Sequence, residues 1–307
     1  MVDGFWPARG AGAPATIYEM ACSEPRDSTL PSHAVMTHPL DTITVRDLRT
    51  LEEYLECCEI QEETWGRGFS ERVPAAILRV SQKVGGVTAG AFDGNGRMVG
   101  FVFGLTGQRD GKPAHWSDML AVREEARGRH IGDRLKHYQR QQVQSLGVEV
   151  MLWTADPLVA RNSHFNINRL GARPVEYVDN MYGITGSTLH GALPTDRLVI
   201  GWQLAADFRP AAGIDAERPG DVALPLANPL AHDGLPAFHH AGSGDGARVQ
   251  VPHDLSAVQE ASGDAALRWR LSVRESFHTL MARGLVVTRF VRPTSGDHPY
   301  YVFTRQG

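Results

Sequence analysis

With 307 residues, 42% of them hydrophobic and 21% charged, the chain carries enough apolar material for one large domain or two small ones without staples. A net charge of -4 excludes a bulk field for nucleic acid or anionic membrane, and no apolar run approaches the ~18 residues that a spanning helix requires. Cys22, Cys57 and Cys58 offer neither metal-ligand spacing nor a paired framework, so no metal site is expected and a reducing cytoplasm is the expected compartment.

Residues 1–35 are rich in Gly, Pro, Ala and Ser without a period and read as a disordered arm or an over-long start placed ahead of Met36. A strand is expected at 43–48, then a helix at 51–65 capped by Thr50, with Glu53 completing a capping box. A second helix is expected at 70–84, ended by Gly85-Gly86. Strands at 87–92 and 98–105 flank Asp93-Gly94-Asn95-Gly96, a hairpin signal. A strand at 116–122 leads through an Arg/Gly loop into an amphipathic helix at 131–146, closed by Gly147. Then come a strand at 148–154, a helix at 159–170 stopped by Gly171, and strands at 174–182 and 197–204. The first domain is thus placed at 36–205. Residues 206–247 lack periodicity and read as a long connection. A small β-α-β-β unit follows at 248–307: strands at 248–251, 285–291 and 300–304 and a helix at 265–283. Such a unit cannot bury both faces alone, so it is expected to pack on the first domain or at a homodimer interface.

The chemistry concentrates in the loop Arg127-Gly128-Arg129-His130-Ile131-Gly132-Asp133. A strand ends, the backbone turns at glycine, and a helix begins with its free amides directed into the turn, which attracts phosphate. Arg123, Arg127, Arg129 and Arg134 add positive charge at that end, an arrangement that suits a pyrophosphate. A dinucleotide-binding fold is disfavoured, because the loop lacks G-x-G-x-x-G and an acidic partner about 20 residues on. The 131–146 helix, with glutamine and arginine on one side, reads as a solvated face and not as a nucleic-acid surface.

This loop resembles the acyl-CoA loop of the GNAT acyltransferase superfamily, whose pattern is Q/R-x-x-G-x-G/A. Arg127, Ile131 and Gly132 match, whereas His130 occupies the usual place of a middle glycine. The element order over 42–204 also resembles that family. The resemblance implies an α/β (α+β) fold with a mixed, mostly antiparallel sheet whose central strands splay, flanked by helices. It also implies that Met119, Leu120, Ala121 and Val122 pair with the pantetheine arm of acetyl-CoA or another acyl-CoA, with Asn162 bridging the arm and the strand. The runs 156–166 and 193–198 resemble a bacterial branch of acyltransferases, some linked to N-acylation of amino acids with a succinyl donor.

The activity implied is direct attack of a small-molecule amine on the thioester, which requires a proton acceptor and an acid for the leaving thiolate. Asp118 is the leading base, followed by Glu63 and Glu176. Many members of the superfamily carry a tyrosine acid where this chain has Ile167, so Tyr182, Tyr177, His164 or a water must serve instead. Arg161, Arg169 and Arg197 are candidates for an acceptor carboxylate. The competing reading is a sensor that binds acyl-CoA without turning it over.

Overall fold

The computed structural model describes residues 38–183, 193–206, 208–239 and 244–305. The arm expected at 1–35 lies outside them. Strand β1 (Thr44–Asp47) leads into helix α1 (Leu51–Trp65), where Thr50 Oγ1 accepts from Glu53 N. Only half of the expected capping box forms. The Glu53 carboxylate accepts from Arg49 N at 2.6 Å and pairs with Arg46 at 2.7 Å. Helix α2 (Ala75–Lys83) starts five residues later than expected, because Pro74 disfavours helical geometry in the residue before it.

Strands β2 (Val87–Phe92), β3 (Met98–Arg109) and β4 (Lys112–Val122) form an antiparallel meander. The last two run further than periodicity indicates, because Asp110 and Gly111, at φ 53° and 76°, make a two-residue hairpin turn. Helix α3 (Ile131–Gln144) covers one face, and β5 (Val150–Ala155) returns parallel to β4. Helix α4 is one α turn (Ala160–Ser163) continued by a π turn (His164–Arg169), in which Leu170 N donates to Phe165 O. Strand β6 (Arg173–Val178) ends four residues before the sequence-based boundary, since Asn180 turns at φ 46° with its N–H on the Asp196 carboxylate. Strand β7 (Arg197–Gln203) inserts between β5 and β6, giving the order β1-β2-β3-β4-β5-β7-β6. The sheet is antiparallel except between β4 and β5.

That one parallel contact is short. Ala114, His115 and Trp116 pair with Val150, Met151 and Leu152, and there the register ends, although β4 continues to Val122 and β5 to Ala155. The central strands splay beyond this point. On its other side β4 stays paired to β3, with a bulge: Phe103 faces Met119 and Gly104 faces Ser117, leaving Asp118 as the extra residue.

After a short helix α5 (Pro219–Val222), a second sheet of order β8-β10-β9 is built from β8 (Gly246–Gln250), β9 (Leu285–Val291) and β10 (Tyr300–Arg305). Between β8 and β9 stand α6 (Leu255–Ala261), capped by Asp254, and the long α7 (Gly263–Ala282). One apolar cluster runs through both sheets, joining Trp153, Ile167 and Ile200 to Phe277, Phe290 and Tyr301. Polar ties reinforce it. The π turn directs Asn168 at β9, where its amide group donates to Phe290 O (2.6 Å) and accepts from Phe290 N (3.3 Å). Asp156, just past β5, receives Arg270 of α7 through two bonds of 2.8 and 2.7 Å, with Arg197 at 3.5 Å. Asp196, fully buried, takes Arg274 and the Tyr177 hydroxyl.

Burial pushes the Asp156 carboxyl up, but Arg270 and then Arg197 outweigh it and hold it below the usual range. A carboxylate so depressed adds stability above its unfolded pKa of about 3.9 and loses it as pH falls through the native value. Arg270→Met should cost about 3 kcal/mol at pH 7, near the lower bound for breaking a buried pair because Asp156 keeps some solvent contact. Denaturant unfolding checks this, and the difference from the unaltered protein should shrink in acid.

Candidate functional site

The cleft opens where β4 and β5 part. Along its β4 wall, Met119 and Ala121 pack toward α1 with Phe101 and Phe103, while Leu120 and Val122 lie against the core under α3. The β4 backbone edge at 117–122 therefore faces β5 without the pairing that Ala114, His115 and Trp116 enjoy. Such an edge offers donors and acceptors to an extended polar chain.

The edge leads into the Arg/Gly loop. Gly128 turns at φ 80°, and His130 stands at the helix start at φ 57°, ψ 21°. His130 thus adopts the left-handed geometry that a glycine would favour, and its side chain is exposed. The first intrahelical bond at this end is Arg134 N to His130 O, so the amides of Ile131, Gly132 and Asp133 precede the helical ladder. A Cβ on Gly132 would meet only Leu120 Cδ2, at 3.5 Å. The Asp133 carboxylate turns to His137 at 3.6 Å.

The four arginines divide. Arg123 is almost buried and bound to Glu63 at 2.7 Å and Glu56 at 3.6 Å, so it does not serve the loop; Glu63 is occupied by the same pair. Arg134 donates to Ile43 O. Arg127 Nε reaches back to Val122 O, tying the loop to the end of β4, and Arg129 reaches Leu40 O and Asp41. Positive potential at the loop thus comes from the helix start with Arg127 and Arg129 at its margin.

Asp118, at the bulge, is accessible from the cleft yet backed by protein. Desolvation raises its carboxyl above the usual range; a hydrogen bond with Trp116 opposes the rise, and the charge of Glu71 adds to it. Tyr182 comes from the turn after β6, and its hydroxyl shares a 2.9 Å hydrogen bond with Thr154 Oγ1, two residues past the last β5 rung. Burial raises this phenol too, the Thr154 bond opposes, and Asp118 is among the charges that raise it further. Arg197 lies over the Tyr182 ring at 5.4 Å. The structure thus brings Asp118 and Tyr182 to the same cleft, one from each side.

Other candidates sit elsewhere. His164 faces Asn168 and Asp215 on the side packed against β9, and its pKa is lowered by burial and then by Arg292. Tyr177 packs on Phe277 and commits its hydroxyl to Asp196. Asn162 is exposed in the single α turn, with Val159 in the cap position. Ile167 is buried in the core. Glu176, Arg161 and Arg169 are exposed. Arg197 serves Asp156 and covers Tyr182. Cys57 is fully buried, which pushes its thiol far up and removes it as a nucleophile. Sequence reasoning passed over Thr154 and Lys136. The amine of Lys136 is buried at the end of the parallel pairing and bonded to Ser117 Oγ at 2.7 Å, and the only sequence signal for it was the rarity of lysine.

A cavity of about 410 Å³, bordered by Arg46, Asp47, Arg79, Lys83 and Tyr138, lies away from the cleft and shares none of its residues.

No protein-family model matches the sequence, and no curated protein matches it. Among solved structures, the chain is similar to the ribosomal-protein-S18-alanine N-acetyltransferase from Escherichia coli, at 14% identity over 55% of this chain and 97% of that chain, TM-score 0.42. It is likewise similar to an acetyltransferase of the GNAT family from Streptococcus pneumoniae (14% identity, 53% and 99% covered, TM-score 0.42). A third is Arabidopsis thaliana Naa50 in complex with the bisubstrate analogue CoA-Ac-MVNAL (15% identity, 52% and 97% covered, TM-score 0.41). Each of these likenesses covers about half of this chain.

Proposed function

We propose that this chain is an acyl-CoA-dependent N-acyltransferase that moves an acetyl or succinyl group onto the primary amine of a small molecule, amino acids among the acceptors. The observation that carries the reading is the gap between β4 and β5, which runs from a bulged carboxylate along a free backbone edge to a glycine-turned helix start. Those parts suit the three parts of an acyl-CoA in order. The amides of Ile131, Gly132 and Asp133 take the pyrophosphate. The edge at Met119, Leu120, Ala121 and Val122 pairs with the amides of the pantetheine arm, and the thioester then lies toward Asp118 and Thr154.

Asp118 accepts a proton from the acceptor ammonium, and the freed amine attacks the thioester carbon. The C–S bond breaks as the N–C bond forms, Tyr182, which burial keeps protonated at neutral pH, supplies the proton for the departing thiolate, and the second proton shed by the nitrogen restores the phenol. No covalent enzyme intermediate is required. Asp118 works only when ionised, so the rate should fall with acidity through a pKa above the usual carboxylate range.

A sensor that binds acyl-CoA without turnover is favoured by one observation: Ile167, where many members of the superfamily carry the acid, is buried and has no proton to give. Calorimetric titration with acetyl-CoA and succinyl-CoA, followed by thiol release against a panel of L- and D-amino acids and simple amines, separates the readings. Binding with release is the expected outcome; binding without release on every amine supports the sensor, and absence of binding removes both.

Two substitutions test the site. Gly132→Glu should remove measurable acyl-CoA affinity and leave the melting temperature unchanged, since the position has room and an acidic residue suits a helix start. Unchanged affinity would show that this loop does not hold the phosphates. Asp118→Asn should lower kcat by about 100-fold, within the usual range for a general base, while KM for the thioester moves little. Its pH–rate profile should lose the acid limb, and an unaltered profile would exclude Asp118 as the base.

A further inference from the structure

Lys136, on α3, is 4% exposed and forms no ion pair with a carboxylate among the described residues. Its Nζ donates to Ser117 Oγ at 2.7 Å and lies 3.9 Å from the centre of the Trp153 ring. The location of these two partners is informative. The last rung between β4 and β5 joins Trp116 to Leu152, so Ser117 and Trp153 are the first residue past it on each strand. One amine therefore holds both strands at the point where they separate. Trp153 is fixed from behind as well: its indole N–H donates to Asn166 Oδ1 of the π turn at 3.2 Å, and Trp202 meets it edge-on at 6.3 Å.

The other groups around the amine are polar and uncharged. His115 of β4, bonded to Thr106 and Gln139, is fully buried; desolvation and then the nearby Lys136 lower its pKa to about 3, so it stays neutral. Gln139 of α3 is also fully buried, and its Oε1 has no hydrogen-bond partner. Gly104 opposite admits no side chain, since a Cβ there would run into His115, Gln139 and the Trp116 carbonyl. Packing of small and polar groups thus makes room for one ammonium at the base of the cleft. A buried cation without a carboxylate is costly, and a leucine or methionine would fill the same volume without that cost.

We infer that Lys136 is a positioning residue for acyl transfer: by binding Ser117 on β4 and Trp153 on β5 it sets the width of the gap that receives the thioester. The inference rests on the acyltransferase reading for its function but not for its geometry. Desolvation lowers the amine pKa to about 7, so its hold on the ring, which needs the charged form, weakens as pH rises through neutrality. A lysine whose native pKa lies below its unfolded value costs stability at low and neutral pH, and the cost fades as pH approaches the unfolded value of about 10.4. Lys136→Met should therefore fold and be at least as stable as the unaltered protein at pH 6.

The test has an unliganded and a kinetic arm. In ¹⁵N-labelled protein without ligand, the Trp153 indole and the Ser117 amide should share a transition with one midpoint near 7, and that shared transition should be absent from both in Lys136→Met, leaving on Ser117 only what its neighbour Asp118 contributes. Ser117→Ala should keep the Trp153 titration. In the kinetic arm, Lys136→Met should raise KM for the thioester by about tenfold or more, the scale of a small misplacement at a reaction centre, while kcat and KM for the amine change less. Separate midpoints for the two resonances, or no titration of either, would overturn the bridge. A shared titration with an unchanged thioester KM would overturn its positioning role. Failure of any thioester to bind the unaltered protein would instead refute the acyltransferase reading, with the resonances still deciding the bridge.

Discussion

The fold depends on where the parallel pairing of β4 and β5 stops. Three rungs hold them, ending at Trp116 and Leu152, and a strand edge then stands open in the middle of a seven-stranded sheet. An interior edge without backbone partners is unfavourable unless water or a ligand supplies them. The chain does not close the gap, although both strands have the length to do so. On β4, the bulge at Asp118 breaks the alternation that a continued ladder would need. On β5, the antiparallel pairing with β7 continues to Ala155, so that strand follows its other neighbour.

The C-terminal sheet enters the same account. Asp156 follows β5 directly and is gripped by Arg270 of α7, while Asp196, which precedes β7, is gripped by Arg274 one turn further along that helix. Asn166 and Asn168 face different partners from the π turn: one holds the Trp153 indole and the other joins the backbone of β9. An α-helical register over the same six residues would not space these contacts in this way, which gives the π turn a structural reason. Helix α7 thus braces the β5 side of the cleft from outside through Arg270 and Arg274.

How much of this was legible in the sequence follows from the range of each signal. The Arg/Gly loop and the helix after it were readable, since glycine, a preceding strand and an amphipathic run are local features. The bulge at Asp118 was not, because it is a mismatch in register between two strands and neither strand carries it alone. Asp110-Gly111, a readable hairpin turn, was passed over, which shortened β3 and β4 in the expectation. Pro74 carried a plain signal for the late start of α2. Glu53 was read as a capping residue, but Arg46 lies across from it only after β1 and α1 have formed, and the carboxylate is engaged chiefly by the ion pair with Arg46 and the hydrogen bond from the Arg49 amide. Arg123 misled for the same reason: its charge is in the sequence, but Glu56 and Glu63 meet it only in the fold.

The three titratable groups around the cleft share one cause for their behaviour. Asp118 and Tyr182 are raised and Lys136 is lowered, with desolvation the first contribution in each case. Each shift favours the neutral form, so the same partial burial acts on an acid, a phenol and an amine. A partly dry pocket strengthens whatever charge develops within it. In the reaction proposed above, proton transfer from an ammonium to a carboxylate and from a phenol to a thiolate would move charge over short distances there, with Trp116 hydrogen-bonded to Asp118 and Thr154 to Tyr182. The same physics explains why Lys136 can remain buried without a carboxylate: at neutral pH it needs only part of a charge, which a hydroxyl and an indole face suffice to hold.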